Sequence, residues 1–175
     1  MMKKIILVFG VLLCGIMNAQ LKFGVNAGFL SGEAKAKTIF GNYNKSGNGF
    51  YVGVFSEMSV LGKLAVRPAV NYTRIKDTDV LMIPIMAKYF VFSGFNVQAG
   101  PQFLIDLSNE PPIDLGIDYN KTNVALGFGI GYDFLDKFSA EARYSLQLND
   151  HMKDATSNNT IKANYFNIGT GYKLK

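Results

Sequence analysis

From residue 20 onward, hydrophobic and polar positions alternate one by one. Between residues 122 and 134, Thr122, Val124, Leu126, Phe128, Ile130, Tyr132 and Phe134 form one set, and Asn123, Ala125, Gly127, Gly129, Gly131 and Asp133 form the other. Successive side chains of a strand point to opposite faces, so the segment predicts a strand with one large apolar face and one small or polar face. Phe138, Ala140, Ala142, Tyr144 and Leu146 stand in the same way against Ser139, Glu141, Arg143, Ser145 and Gln147. The pattern predicts eight strands, at residues 22–30, 48–58, 64–74, 80–92, 95–106, 122–134, 138–148 and 162–174. Residues 80–85 are entirely apolar, and Lys88 alone marks a polar face for the fourth strand. Pro68, Pro84 and Pro101 fall inside predicted strands. Each lacks an amide donor and predicts a bulge or a locally broken ladder.

The connections alternate in length. Residues 59–63, 93–94 and 135–137 are short, whereas 31–47, 107–121 and 149–161 are long and mostly polar, and 75–79 is intermediate. Short turns at one end and longer loops at the other describe an all-β, eight-stranded antiparallel up-and-down transmembrane β-barrel. Alternation alone does not say whether the apolar face meets lipid or a core. Three features favour lipid. The polar face is built of Gly, Ala, Ser and Asn with opposite charges mixed in, which suits a crowded interior. Phe23, Phe29, Tyr72, Tyr89, Phe103, Phe134, Phe138 and Tyr165 recur near strand ends, where interfacial girdles form. The strands run about 9–13 residues, enough to cross a bilayer at a tilt. A barrel in lipid must also close, because an open edge would leave backbone groups unpaired. The alternative is a soluble periplasmic β-barrel that binds a small apolar ligand, with the large apolar faces turned inward.

The first residues change the picture by giving the chain a destination. Lys3 and Lys4 precede an apolar run over residues 5–17, and Asn18, Ala19 and Gln20 then turn polar. This is the pattern of a cleaved signal peptide over residues 1–19, leaving a barrel domain over residues 20–175 in the cell outer membrane. Cys14, the one cysteine, lies inside the leader behind Leu13, so neither lipidation nor a disulfide is expected of the mature domain. The chain carries 18 basic and 13 acidic residues, a formal charge of +5 to which Lys3 and Lys4 contribute. That balance is mild and unclustered, and excludes nucleic acid as an expected partner.

The predicted inward charges are Glu57, Arg67, Lys88, Asp106, Asp133, Glu141 and Arg143. The interior of eight strands is just wide enough for side chains to fill it. The expectation is therefore a salt-bridged network of Glu57, Arg67, Lys88, Asp133, Glu141 and Arg143, in which Arg67, Lys88 and Arg143 pair with Glu57 and Glu141. The competing reading is a narrow ion path. His151, the one histidine, sits in a predicted loop between Asp150 and Asp154, and Ser145 and Ser157 are the nearest serines. No His-x-Ser pairing forms, so a lipid A-modifying enzyme is a distant alternative. Catalytic residues, metal ligands and cofactors are all expected to be none. Glu110, Asp114 and Asp118 in the loop over 107–121 read as a solvated acidic stretch. Gly127, Gly129 and Gly131 are spaced by two with no helix following, which points to barrel packing and not to phosphate binding.

Several segments resemble the outer-membrane barrel domain called PorT-like. They are Gly49-Phe50-Tyr51-Val52-Gly53-Val54-Phe55-Ser56-Glu57, Ile83-Pro84-Ile85-Met86-Ala87-Lys88-Tyr89-Phe90, Phe95-Asn96-Val97-Gln98-Ala99-Gly100-Pro101-Gln102, Ala142-Arg143-Tyr144 and Asn167-Ile168-Gly169-Thr170-Gly171-Tyr172. The resemblance covers nearly all of the mature chain and implies that prolines at 84 and 101 are tolerated. The barrel is expected to have a non-enzymatic structural, adhesion or interaction role, and the resemblance adds secretion or assembly support as one variant. The implied partners are outer-membrane lipid and lipopolysaccharide, the barrel-assembly machinery during insertion, and an envelope protein. Barrels of this type often end on an aromatic residue, whereas Lys173-Leu174-Lys175 follows Tyr172 here. Recognition for assembly then falls to Tyr172 and Leu174.

Overall fold

Eight antiparallel strands pair in the order in which they occur and close on themselves. The computed structural model describes residues 21–38, 41–108, 120–135, 137–150 and 160–174. The strands are β1 Leu21–Thr38, β2 Gly41–Leu61, β3 Leu64–Ile75, β4 Thr78–Phe92, β5 Phe95–Asp106, β6 Thr122–Phe134, β7 Phe138–Gln147 and β8 Thr160–Lys173. β1 seals the barrel against β8, with Gly28 opposite Gly169, so the lipid-spanning wall has no open edge. The turns β2–β3, β4–β5 and β6–β7 share one end with the start of β1 and the finish of β8. Two of these turns need glycine: Gly62 and Gly94 have φ of 49° and 74°, where a side chain is strained.

The barrel is inside out relative to a water-soluble one. On β6, Asn123, Ala125, Gly127 and Gly131 are buried in the lumen while Leu126, Phe128, Ile130 and Tyr132 are exposed. On β3, Arg67 and Asn71 are buried while Val70 and Tyr72 face out. A soluble barrel around an apolar ligand requires the reverse, and that alternative is overturned. Gly127 and Gly131 of β6 make room for amide side chains from the neighbouring strand β5. A Cβ built on Gly131 would lie 2.5 Å from Gln98 Nε2 and 2.7 Å from Asn96 Oδ1. Around the outside at the short-turn end, aromatic rings form a girdle. Phe92 stacks on Phe95 with centroids 4.9 Å apart. Tyr132, Phe134, Phe138 and Tyr172 follow in a chain at 6.4, 5.7 and 5.0 Å.

Two expectations need correction, the first long loop and Tyr165. The first long loop, residues 31–47, is mostly strand. β1 and β2 keep one register past Ser31↔Asn48 to Thr38↔Gly41, and β8 follows β1 as far as Lys37↔Thr160. Alternation persists there with a polar exterior: Gly32, Ala34 and Ala36 are buried, whereas Ser31, Glu33 and Lys35 point outward. The strands have left the apolar belt, so polarity here marks height above the lipid and not loss of structure. β3 pairs with β2 only from Gly49↔Ile75 onward, so this projection is a three-stranded sheet of β8, β1 and β2.

Tyr165, expected in a girdle, points into the lumen and is 8% exposed. It shares parity with Ala163 and Asn167, and the outward aromatic at this height is Phe166. The prolines break the ladder locally, one of the two outcomes expected of them, and do not bulge it. Pairing lapses around Pro68 and Pro84 and resumes in the same register, as from Pro68↔Ile85 to Asn71↔Met82, and likewise around Pro101. The register shifts lie instead at Ser59/Leu61 and Phe90/Phe92, beside tight turns. On β4, Val80, Met82 and Met86 share the inward parity of Lys88 and are buried. Residues 1–20, and with them Cys14, lie outside the described residues, as do Glu110, Asp114, Asp118, His151 and Ser157.

Candidate functional site: stacked charge layers across the lumen

The even-numbered strands all run toward the short-turn end, and each delivers one inward charge near its finish. These are Glu57 on β2, Lys88 on β4, Asp133 on β6 and Lys173 on β8. Lys88 Nζ lies 2.7 Å from Glu57 Oε2 and 3.1 Å from Asp133 Oδ1. Lys173 Nζ lies 2.9 Å from Glu57 Oε1 and 2.6 Å from Asp133 Oδ2. Signs alternate around the ring, so each ammonium touches both carboxylates and the ring is formally neutral. In a closed barrel of eight, β2 faces β6 and β4 faces β8, so the ring spans the lumen. Lys88 is fully buried. An unpaired ammonium there would carry a desolvation penalty of several kcal/mol, and the two carboxylates offset it.

A second layer comes from the facing strands β3 and β7. Arg67 Nη1 lies 3.3 Å from Glu141 Oε2, and Arg143 Nη2 lies 2.6 Å from Glu141 Oε1. All three residues are buried. The guanidinium carbon of Arg67 also sits 3.7 Å from the centre of the Phe55 ring, an attractive cation–π placement. Two arginines share one carboxylate, so this layer keeps one excess positive charge. Arg67 Nη2 and Arg143 Nε find no hydrogen-bond partner among the described residues.

Amides fill the lumen at several heights, with the Asn96–Gln98 pair beside the charge ring, where Asn96 Nδ2 also lies 3.4 Å from Asp133 Oδ1, and the Asn123–Gln147 pair near the far mouth. Asn26 Nδ2 donates to Asn71 Oδ1 at 3.0 Å, Gln98 Nε2 to Asn96 Oδ1 at 3.0 Å, and Gln147 Nε2 to Asn123 Oδ1 at 3.1 Å. An apolar cluster that includes Leu30, Val80, Met82, Leu104, Ala125 and Tyr165 packs toward the far mouth, level with Asn123. Ion pairs, amides and hydrocarbon together fill the interior.

The structure gathers the six residues singled out from sequence into these two layers. Asp106 is elsewhere, near the far mouth, where its carboxylate accepts the Ser108 amide hydrogen at 2.9 Å. Lys173 was missed as an inward charge, although its parity with Asn167 and Gly171 carried the signal. Ser145 is committed within the lumen, donating to Gln102 Oε1 at 3.1 Å. Among the described residues, no group of three or more His, Cys, Asp or Glu side chains is placed to hold a metal ion.

A family model described as "Outer membrane protein beta-barrel domain" matches residues 75–153, from the end of β3 to beyond β7. This is an outer-membrane barrel. Its lipid-facing exterior and its charge-filled lumen are those of a transmembrane β-barrel. No curated protein matches its sequence. Ail, the attachment invasion locus protein of Yersinia pestis, superposes on the barrel with a TM-score of 0.50 at 13% identity, over 87% of this chain and 98% of Ail. Neisserial surface protein A gives 0.48 at 21% identity, over 87% and 97% of the two chains. OprG from Pseudomonas aeruginosa gives 0.44 at 14% identity, over 87% and 95%. The likeness to Ail is one of fold.

Proposed function

We propose that this barrel is a non-enzymatic surface protein with a structural, adhesion or interaction role, and that it conducts neither ions nor solutes. The observation that carries the reading is the ring of Glu57, Lys88, Asp133 and Lys173, which fills the lumen from four strands with every charge paired. Among the described residues, what is left to engage a partner is the sheet that projects beyond the apolar belt. Its exposed Lys35, Tyr43 and Lys45 suit lipopolysaccharide phosphates or an envelope protein. The attachment for which Ail is named is a property of that protein; here it supports adhesion as the first activity to test. The PorT-like resemblance supports a finer reading, support of secretion or assembly. The C-terminal pair Tyr172 and Leu174 would then engage the barrel-assembly machinery.

Two measurements test this. Purified barrel in planar bilayers is expected to be silent, and stable unitary conductance steps of defined size would overturn the closed lumen. Cells displaying the barrel are expected to gain attachment to host or abiotic surfaces. Shortening the projecting hairpin of β1 and β2 is expected to remove that gain while the barrel still inserts. A deletion strain with altered secreted proteins and unchanged attachment would favour the finer reading.

A further inference from the structure

The lumen opens at the end opposite the charge layers into a cavity of about 180 Å³. Its floor is mostly apolar, with Ile75, Val80, Leu104, Ala163 and Tyr165, and Asn123 lies beside Leu104. Its rim is charged with both signs, by Lys45 and Lys76 against Glu33, Asp77 and Asp106.

Three observations give this cavity a chemistry. Here Ile75, Val80 and Leu104 line the inner wall, Val80 and Leu104 buried and Ile75 left partly exposed at the mouth. Apolar side chains lining an open mouth lose about 25 cal/mol for each Å² left wet, so covering them is favourable. The space is also kept open by small residues. Gly32, Ala34 and Ala163 form the β1 and β8 wall, and a Cβ built on Gly32 would already lie 3.3 Å from the Tyr165 ring and 3.4 Å from Ile75 Cδ1. Finally, the size is specific. An apolar cavity of about 150 Å³ accommodates benzene, so this one has room for a ring and one substituent.

The rim limits what the substituent is. Lys76 Nζ already donates to the Ser46 carbonyl at 2.8 Å, and Glu33 is paired with Lys35 at 3.2 Å. With Glu33 set aside for its pairing with Lys35, the rim holds two ammonium groups and two carboxylates, so a fully charged substituent would meet as many groups of like sign as of opposite sign. A neutral hydroxyl can both donate to a rim carboxylate and accept from a rim ammonium.

We propose that the mouth binds a small monocyclic aromatic compound bearing one neutral hydrogen-bonding group. The ring packs on Ile75, Val80, Leu104 and Tyr165, and the hydroxyl points to the rim. The site lies against the apolar cluster and does not depend on the adhesion reading.

The test uses the full barrel in lipid nanodiscs, methyl-labelled on Ile, Val, Leu and Ala and titrated with 4-fluorophenol. Saturable shifts are expected at the methyls of Ile75, Val80, Leu104 and Ala163, well beyond those of lipid-facing Val54 and Ile168. Ala163→Phe fills the cavity from β8 and is expected to weaken binding at least tenfold. Gly32→Val narrows it from β1 and serves where the first variant does not fold. Shifts that never saturate and are shared by Val54 and Ile168 would show partition into the bilayer only and overturn the proposal. So would saturable binding that neither variant weakens.

Discussion

The ammonium of Lys173, on the last strand, lies 2.6 Å from the carboxylate of Asp133 on β6, and its other contact is Glu57 on β2 at 2.9 Å. One side chain near the end of the chain therefore ties together three strands that are not neighbours. Lys173→Ala is expected to leave both carboxylates short of a cation and to lower stability by roughly 3–5 kcal/mol. Urea unfolding in lipid vesicles, read by gel mobility and far-UV circular dichroism, measures it. A loss below about 1 kcal/mol would mean that Lys88 alone balances the ring.

Lys88 is the most deeply placed member of the same ring, and its variants should be strongly non-additive. Lys88→Met alone leaves two buried carboxylates facing one ammonium. Lys88→Met combined with Glu57→Gln leaves one of each sign, and should recover much of the loss. A double-mutant cycle with a coupling energy near zero would show that the two groups act independently.

The membrane face makes a prediction that a soluble barrel would not share. Val54 is exposed in the middle of β2. Val54→Arg is expected to cost about 2–4 kcal/mol in a bilayer, the penalty for a cation near its midplane. Ser31→Arg, on the polar exterior of the projection, should change stability by less than about 0.5 kcal/mol. Equal effects at the two positions would contradict the lipid boundary drawn between them.

Hydrogen exchange can check the projecting sheet directly. The Ser46 carbonyl accepts from Lys76 Nζ, so it points away from β1. Within an antiparallel pair, a residue's amide and carbonyl point the same way. The amides of Tyr43, Lys45 and Gly47 should therefore exchange slowly, and those of Asn44 and Ser46 quickly. Uniformly fast exchange across 43–47 would restore the loop that polarity alone suggested.

That last case shows where sequence is informative and where it stops. Strand number and facing were legible because period-two alternation survives in β3, β5, β6, β7 and β8 without interruption. The projection was illegible because both sets of residues there are small or polar. Gly32 and Ala34 facing Ser31 and Glu33 offer no contrast in hydropathy, although they still alternate in size. The inward charges were legible by parity, whereas their partners were not. Whether Arg67 meets Glu57 or Glu141 depends on how far each strand is staggered against the next around the closed barrel. That stagger is a property of eight registers taken together and of no single segment. Asp133 and Lys173 joined the same ring as Glu57 for this reason. Tyr165 was misread because an aromatic near a strand end suggests an interface, and parity, which argued otherwise, was outweighed.

The ring of four has a consequence for inheritance. Its members come from four separate strands, and each touches both of its neighbours in the ring. A change of sign at one position is therefore tolerated only with an opposite change at another. Related barrels should exchange acid for base at these positions in concert, never singly. The four places would then behave as one heritable character, scattered over more than a hundred residues of chain. Their joint variation would reveal the stagger of a relative's barrel before its structure is known.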